Sequence, residues 1–151
     1  MFLGHFGIGL AVKRISPGIS LLVLLPVSLT PDLLALPAIV FPHQVPDLVP
    51  WTHGLFMCFV IALSSAIIVA FINRHVRYAA VIGCLVFSHW LLDFISWPMF
   101  GRGLPVFFNG SPEIGLGLYS TSFGSIAGEI GGAFLIVTMV IVLKNAHRKS
   151  A

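Results

Sequence analysis

The sequence predicts an all-α, polytopic membrane bundle: four transmembrane helices preceded by a short helix half-inserted in the bilayer. Three observations carry that prediction. Hydrophobic residues make up 58% of the 151-residue chain and charged residues only 9%, too little charge to cover the surface of a water-soluble domain of this size. Four apolar runs, about 18–40, 53–73, 78–99 and 122–143, each approach or reach the ~20 helical residues that cross a hydrocarbon core. The basic residues stand in small groups between those runs. Scattered in this way, a net charge of +3 speaks for membrane loops and against a nucleic-acid partner, which would need a basic patch.

The elements follow in order along a single integral membrane domain, 1–151. The segment 2–12 is apolar but too short to span, which makes it the half-inserted or interfacial helix. Its charges, Lys13 and Arg14, come after the apolar stretch and no small-residue cleavage site follows, so it reads as retained and not as a signal peptide. The first span contains Pro26, Pro31 and Pro37 and is expected to be kinked or broken, since each proline removes a helix hydrogen bond. Lys13 and Arg14 precede that span, Arg74 and Arg77 lie between the second and third, and Lys144, Arg148 and Lys149 follow the fourth. The loops 41–52 and 100–121 contain only Arg102, so seven of the eight basic residues fall on one side. The positive-inside rule makes that side, with both termini, cytoplasmic. Trp51, Trp97 and Tyr119 suit an aromatic belt at the outer interface. Gly124, Gly128 and Gly132, four residues apart, suit a close helix-packing face. Cys58 and Cys84 sit inside apolar runs with no metal-type or redox-type spacing and read as structural thiols.

Function is sought among the polar residues that interrupt these runs. Three of the five acids, Asp32, Asp93 and Glu129, fall within spans, where ionisable groups are rare and face a bundle interior or a wet cavity. At ~1.5 Å rise per residue, Asp32 lies roughly 21 Å along the first span, and His89 and Asp93 roughly 17 and 23 Å along the third. His53 opens the second span at its outer mouth, and Glu129 lies roughly two turns into the fourth from the same side. His5 reaches similar depth if the N-terminal helix dips inward. In SHWLLDF, His89 and Asp93 are four residues apart and share one helix face. Imidazole and carboxylate are ligands for Zn²⁺ and similar ions, and such a pair needs partners from other helices to complete a site. Asp32 and His53 are those partners, with His5 a fifth. The same pair also suits a hydrogen bond joining helices, which leaves three readings open: a metal-dependent enzyme, a small ion or metal transporter, and a structural membrane protein. Glu129 is read as a general base or a hydrogen-bond partner of the ligands, with a structural hydrogen-bonding role as the equal alternative.

GH at 4–5, PD at 31–32, TH at 52–53 and SHWLLD at 88–93 resemble the ordered motifs of the predicted membrane-bound metal-dependent hydrolases. These small bacterial inner-membrane proteins include the LexA-regulated type. The resemblance implies a divalent metal, Zn²⁺ foremost with Mn²⁺ or Mg²⁺ as alternatives, held by His5, Asp32, His53, His89 and Asp93. It also implies hydrolysis, and a site in the outer leaflet points to an amphipathic or lipid-like substrate. The chain departs from the LexA-regulated pattern after the PD pair, where Leu34 and Ala35 stand in place of a second Asp and a His.

Overall fold

Proline, glycine and a few polar caps divide the chain into helices. A computed structural model describes residues 2–41, 43–44, 48–98, 102–108 and 110–150. Among them run α1 (Phe2–Ile15), α2 (Leu21–Ser28), α3 (Thr30–Val40), α4 (Leu48–His53), α5 (Leu55–Asn73), α6 (Val76–Ser96) and α7 (Ser122–Ser150). A two-residue hairpin, β1 (Leu104–Pro105) with β2 (Glu113–Ile114), and a 3-10 turn at Leu118–Ser120 lie between α6 and α7.

The helix ends have local causes. α1 runs to Ile15, three residues past the expected end, and carries Lys13 and Arg14 in its last turn, where positive charge suits the helix dipole. Lys13 Nζ donates to the carbonyls of Pro17 (2.7 Å) and Ile19 (2.8 Å), which closes the turn into α2. Ser20 caps α2, its hydroxyl accepting from the Leu22 N–H. The expected break in the first apolar run falls between α2 and α3, which are bent by 54°. Pro31, at the start of α3, has no N–H to offer the Val27 carbonyl. The Thr30 hydroxyl (2.8 Å) and the Leu29 N–H take its place.

Three helices are long and apolar enough to cross a membrane, α5, α6 and α7 over Ser122–Ala146, and the bent pair makes a fourth if it counts as one span. Their packing suits lipid as solvent. Of the most apolar stretch, only 17% of α5 and 11% of α7 is buried inside the protein, and Leu22, Phe71, Phe123 and Phe134 stand exposed. The interior, by contrast, holds His5, Ser28, Thr52, His53, His89, Asp93 and Ser96, all buried. Apolar residues turned outward around a polar centre are the membrane arrangement.

α5 and α6 form an antiparallel pair, joined by Arg74 in the left-handed conformation (φ 54°) whose N–H caps the Ala70 carbonyl. α1 packs against α2, α6 and α7. Its contact with α7 is close because of glycine: a Cβ on Gly132 would stand 2.6 Å from the Gly4 main-chain nitrogen. Of the expected packing face, Gly132 meets α1, while Gly124 and Gly128 are buried against Leu118 and Tyr119. A buried apolar cluster of Ile19, Leu24, Ile82 and Leu85 fills the end nearest the basic turns.

The segment 100–121, read from the sequence as a loop, contains the hairpin. It lies over the α4–α5 junction, with the Phe56 N–H donating to Val106 O (3.0 Å) and Leu104 buried against Cys58 and Trp90. Leu116 and Gly117 donate to Phe94 O (2.7 Å) and Trp97 O (2.6 Å), tying this segment to the end of α6. The loop 41–52 likewise contains most of α4. Strands of two residues carry too little alternation to be read from sequence, and a six-residue helix is too short to show a period.

Candidate metal centre

Four elements bring the His/Asp residues to one point. α1 supplies His5 near its start, and the break before α3 sets Asp32 in that helix's first turn. His53 is the last residue of α4. His89 and Asp93 leave one face of α6, as their spacing predicts, with His89 Nε2 3.2 Å from Asp93 Oδ2. Asp32 Oδ1 lies 3.1 Å from His53 Nε2 and 3.7 Å from His89 Nε2. Asp93 Oδ2 lies 3.8 Å from His53 Nε2, and its other oxygen, Oδ1, 3.3 Å from His5 Nε2. The His5 ring stacks on His89 at 3.8 Å between centroids, and His53 meets His89 edge-on at 5.3 Å. All five residues named from the sequence thus converge, and they form two overlapping triads of close ligand atoms: His5, His89 and Asp93, and Asp32, His53 and His89.

Main-chain carbonyls set the tautomers. His89 Nδ1 is 3.0 Å from Ser28 O, and His53 Nδ1 is 3.0 Å from Val49 O. A carbonyl only accepts, so each Nδ1 carries the proton and each neutral ring turns an Nε2 lone pair inward. Thr52 supports His53: its hydroxyl oxygen sits 2.9 Å from Nδ1 and points its own proton at Val49 O (3.2 Å). Two imidazole lone pairs and two carboxylate oxygens therefore face one another with no donor among them while the rings are neutral. His89 Nε2 is buried and makes no hydrogen bond, although a carboxylate oxygen is close. Such a set is held together by something positive placed between the four atoms, protons on both rings or a metal ion.

The nitrogen-to-oxygen spacing suits a metal ion. Tetrahedral Zn²⁺ bonds of 2.0–2.2 Å place neighbouring ligand atoms about 3.3–3.6 Å apart, and the four nitrogen-to-oxygen separations here are 3.1, 3.2, 3.7 and 3.8 Å. Ligand atoms lie within 4.8 Å of one another inside each triad, and the two carboxylates, Asp32 and Asp93, belong to different triads that share His89. Two carboxylates also match the charge of a divalent ion, which matters where water is excluded. His53, His89 and Asp93 are buried, whereas the Asp32 side chain is 38% exposed. The centre therefore reaches the surface on the Asp32 side, beside exposed Leu33 and Leu36.

Thr52→Val is expected to weaken divalent-ion affinity about tenfold, the low end of the 10–100-fold typical for a partner that orients a ligand. Competition with a chromophoric chelator measures it. An unchanged affinity would mean that Val49 O alone orients the His53 ring.

Glu129 engages a different part of the structure. One carboxylate oxygen, Oε2, accepts from the Leu3 N–H at 3.0 Å, and the other, Oε1, accepts a short hydrogen bond from the Tyr119 hydroxyl. Partial burial and the carboxylate beside it push the Tyr119 phenol above its ordinary range, so it stays a donor. Sequence reasoning missed Ser28 and Val49, which act through main-chain carbonyls that no residue pattern marks. It also read Tyr119 only as an interfacial aromatic. The TH pair at 52–53 did contain the signal for Thr52.

No protein-family model, curated protein or solved structure matches this chain.

Proposed function

We propose that this chain is a metal-dependent hydrolase of the bacterial inner membrane, with Asp32, His53, His89 and Asp93 holding a divalent cation, Zn²⁺ foremost, and His5 completing the cluster through Asp93. The observation that carries the reading is the inward pair of imidazole lone pairs, each set by a main-chain carbonyl and each facing a carboxylate. The motif resemblance to the predicted membrane-bound metal-dependent hydrolases points the same way. Bound there, a divalent cation supplies Lewis-acid polarisation of a phosphoryl or carbonyl oxygen and acidifies water. The protein's own residues orient the ligands, bury His53, His89 and Asp93 away from water and leave Asp32 as the open edge. An amphipathic or lipid-like substrate suits that edge, because exposed leucines flank it.

Orientation follows the basic residues: the basic end of α1, the C-terminus and the apolar cluster toward the cytoplasm, the His/Asp centre with the start of α1 toward the exoplasmic half. The packed apolar cluster of Ile19, Leu24, Ile82 and Leu85 favours an enzyme over a transporter, since a transport path must also open to the cytoplasm.

Elemental analysis of detergent-purified protein tests the reading. Wild type is expected to carry about one Zn²⁺-class ion per chain after reconstitution, and the His89→Ala/Asp93→Ala variant none. Wild type without stoichiometric metal would remove the metal centre and the hydrolase with it. Ion flux in liposomes, at rates that follow the same mutations, would replace the enzyme by the transporter.

A further inference from the structure

Glu129 lies on α7 and bonds to two elements that are remote in sequence. We infer that Glu129 is a positioning residue, which with Tyr119 latches the start of α1 to α7 and thereby seats His5 in the cluster. Leu3 belongs to the first turn of α1, whose N–H groups have no partner within the helix. Glu129 Oε2 takes the Leu3 N–H at 3.0 Å. A carboxylate there also suits the positive end of the helix dipole, and an unmade bond is costly where lipid replaces water. Tyr119 holds the other oxygen, so the carboxylate is fixed from both sides. The glycine face of α7 completes the device. Gly132 lets α7 touch the Gly4 main chain, and Gly7 leaves no room for a side chain beside Leu135. His5 lies between these contacts, two residues after the bonded Leu3, and reaches Asp93 Oδ1 at 3.3 Å. α1 is a 14-residue helix, about 21 Å long and shorter than a span. Its place therefore depends on these contacts.

The docking of α1 stands by itself, while its effect on a bound cation rests on the metal centre proposed above. A disulfide trap separates the two. A Cβ on Gly7 would lie 3.2 Å from Leu135 Cβ, slightly inside the ~3.5–4.5 Å range of disulfides. The pair Gly7→Cys/Leu135→Cys, in a Cys84→Ala background, thus reports α1 docked on α7. Glu129→Ala is expected to slow trapping at least tenfold. Glu129→Gln keeps an acceptor for the Leu3 N–H and is expected to recover most of the rate. Co²⁺ affinity, read from its visible spectrum, is expected to fall about 10–100-fold in reduced Glu129→Ala and to return when the tether is oxidised. If Glu129→Ala does not fold, Tyr119→Phe tests the same latch from its other side. Unchanged trapping would overturn the latch. So would a lost affinity that the closed tether fails to restore, which would mean that Glu129 acts on the cluster directly. If wild type binds no Co²⁺, the metal centre falls, and the trapping rates still decide the latch.

Discussion

Asp93→Asn is expected to abolish metal binding at micromolar concentrations while leaving the helices in place. The substitution keeps shape and volume and removes one negative charge at the most enclosed carboxylate of the cluster. Asp93 is the carboxylate that meets all three imidazoles: Oδ2 faces His89 and His53, at 3.2 and 3.8 Å, and Oδ1 faces His5 at 3.3 Å. With two carboxylates a divalent ion is neutralised, and with one the buried centre retains a net positive charge. Breaking a buried ionic set in this way costs about 3–5 kcal/mol, or about 10²–10⁴ in affinity. Zn²⁺ titration against a chelator gives the number, and circular dichroism in detergent checks the helices. Full-strength binding by the Asn variant would place the ion elsewhere. The sign of the pH dependence follows from the same geometry. Protons and metal compete for the two Nε2 lone pairs, so affinity is expected to fall as the solution is acidified.

Gly132→Leu is expected to disable the centre from a residue that touches none of its ligands. Its Cβ would lie 2.6 Å from Gly4 N and 3.0 Å from the Leu3 carbonyl carbon. Both are main-chain atoms, so rotating a side chain gives no relief and α1 must move. Overpacking of this kind lowers stability by about 1–3 kcal/mol, and a shifted α1 withdraws His5 from Asp93. The variant is expected to match His5→Ala in metal affinity and to melt at lower temperature in detergent. The adjacent Gly131 is the control, because a Cβ there meets nothing within 4 Å; Gly131→Leu is expected to be silent in both measurements. Equal behaviour of the two leucine variants would mean that close approach of α1 is not what holds His5.

Several elements are legible in the order of residues. The i,i+4 spacing of His89 and Asp93 puts both on one face of α6, and they meet there. The three prolines of the first run announce a break, and it falls between Ser28 and Thr30, where it turns Asp32 toward His53. The glycines of α7 announce a close contact, and they make it with α1 and with Leu118–Tyr119. Glu129 shows the limit of such reading. Depth along a span measures position across the membrane but not which neighbour a side chain meets, and Glu129 meets the first turn of α1.

By itself the sequence determined the solvent and the cast. Composition alone calls for lipid, because 9% charged residues cannot clothe a soluble domain. The few polar side chains within apolar runs single out His5, Asp32, His53, His89 and Asp93, because lipid tolerates such groups only when something binds them. The tertiary structure alone decided how they meet. Tautomers are set by the carbonyls of Ser28 and Val49, which belong to the backbone and leave no trace in residue type. The 3.1–3.8 Å separations between imidazole nitrogens and carboxylate oxygens depend on the angles between helices far apart in sequence, and those angles come from packing across glycine and around proline.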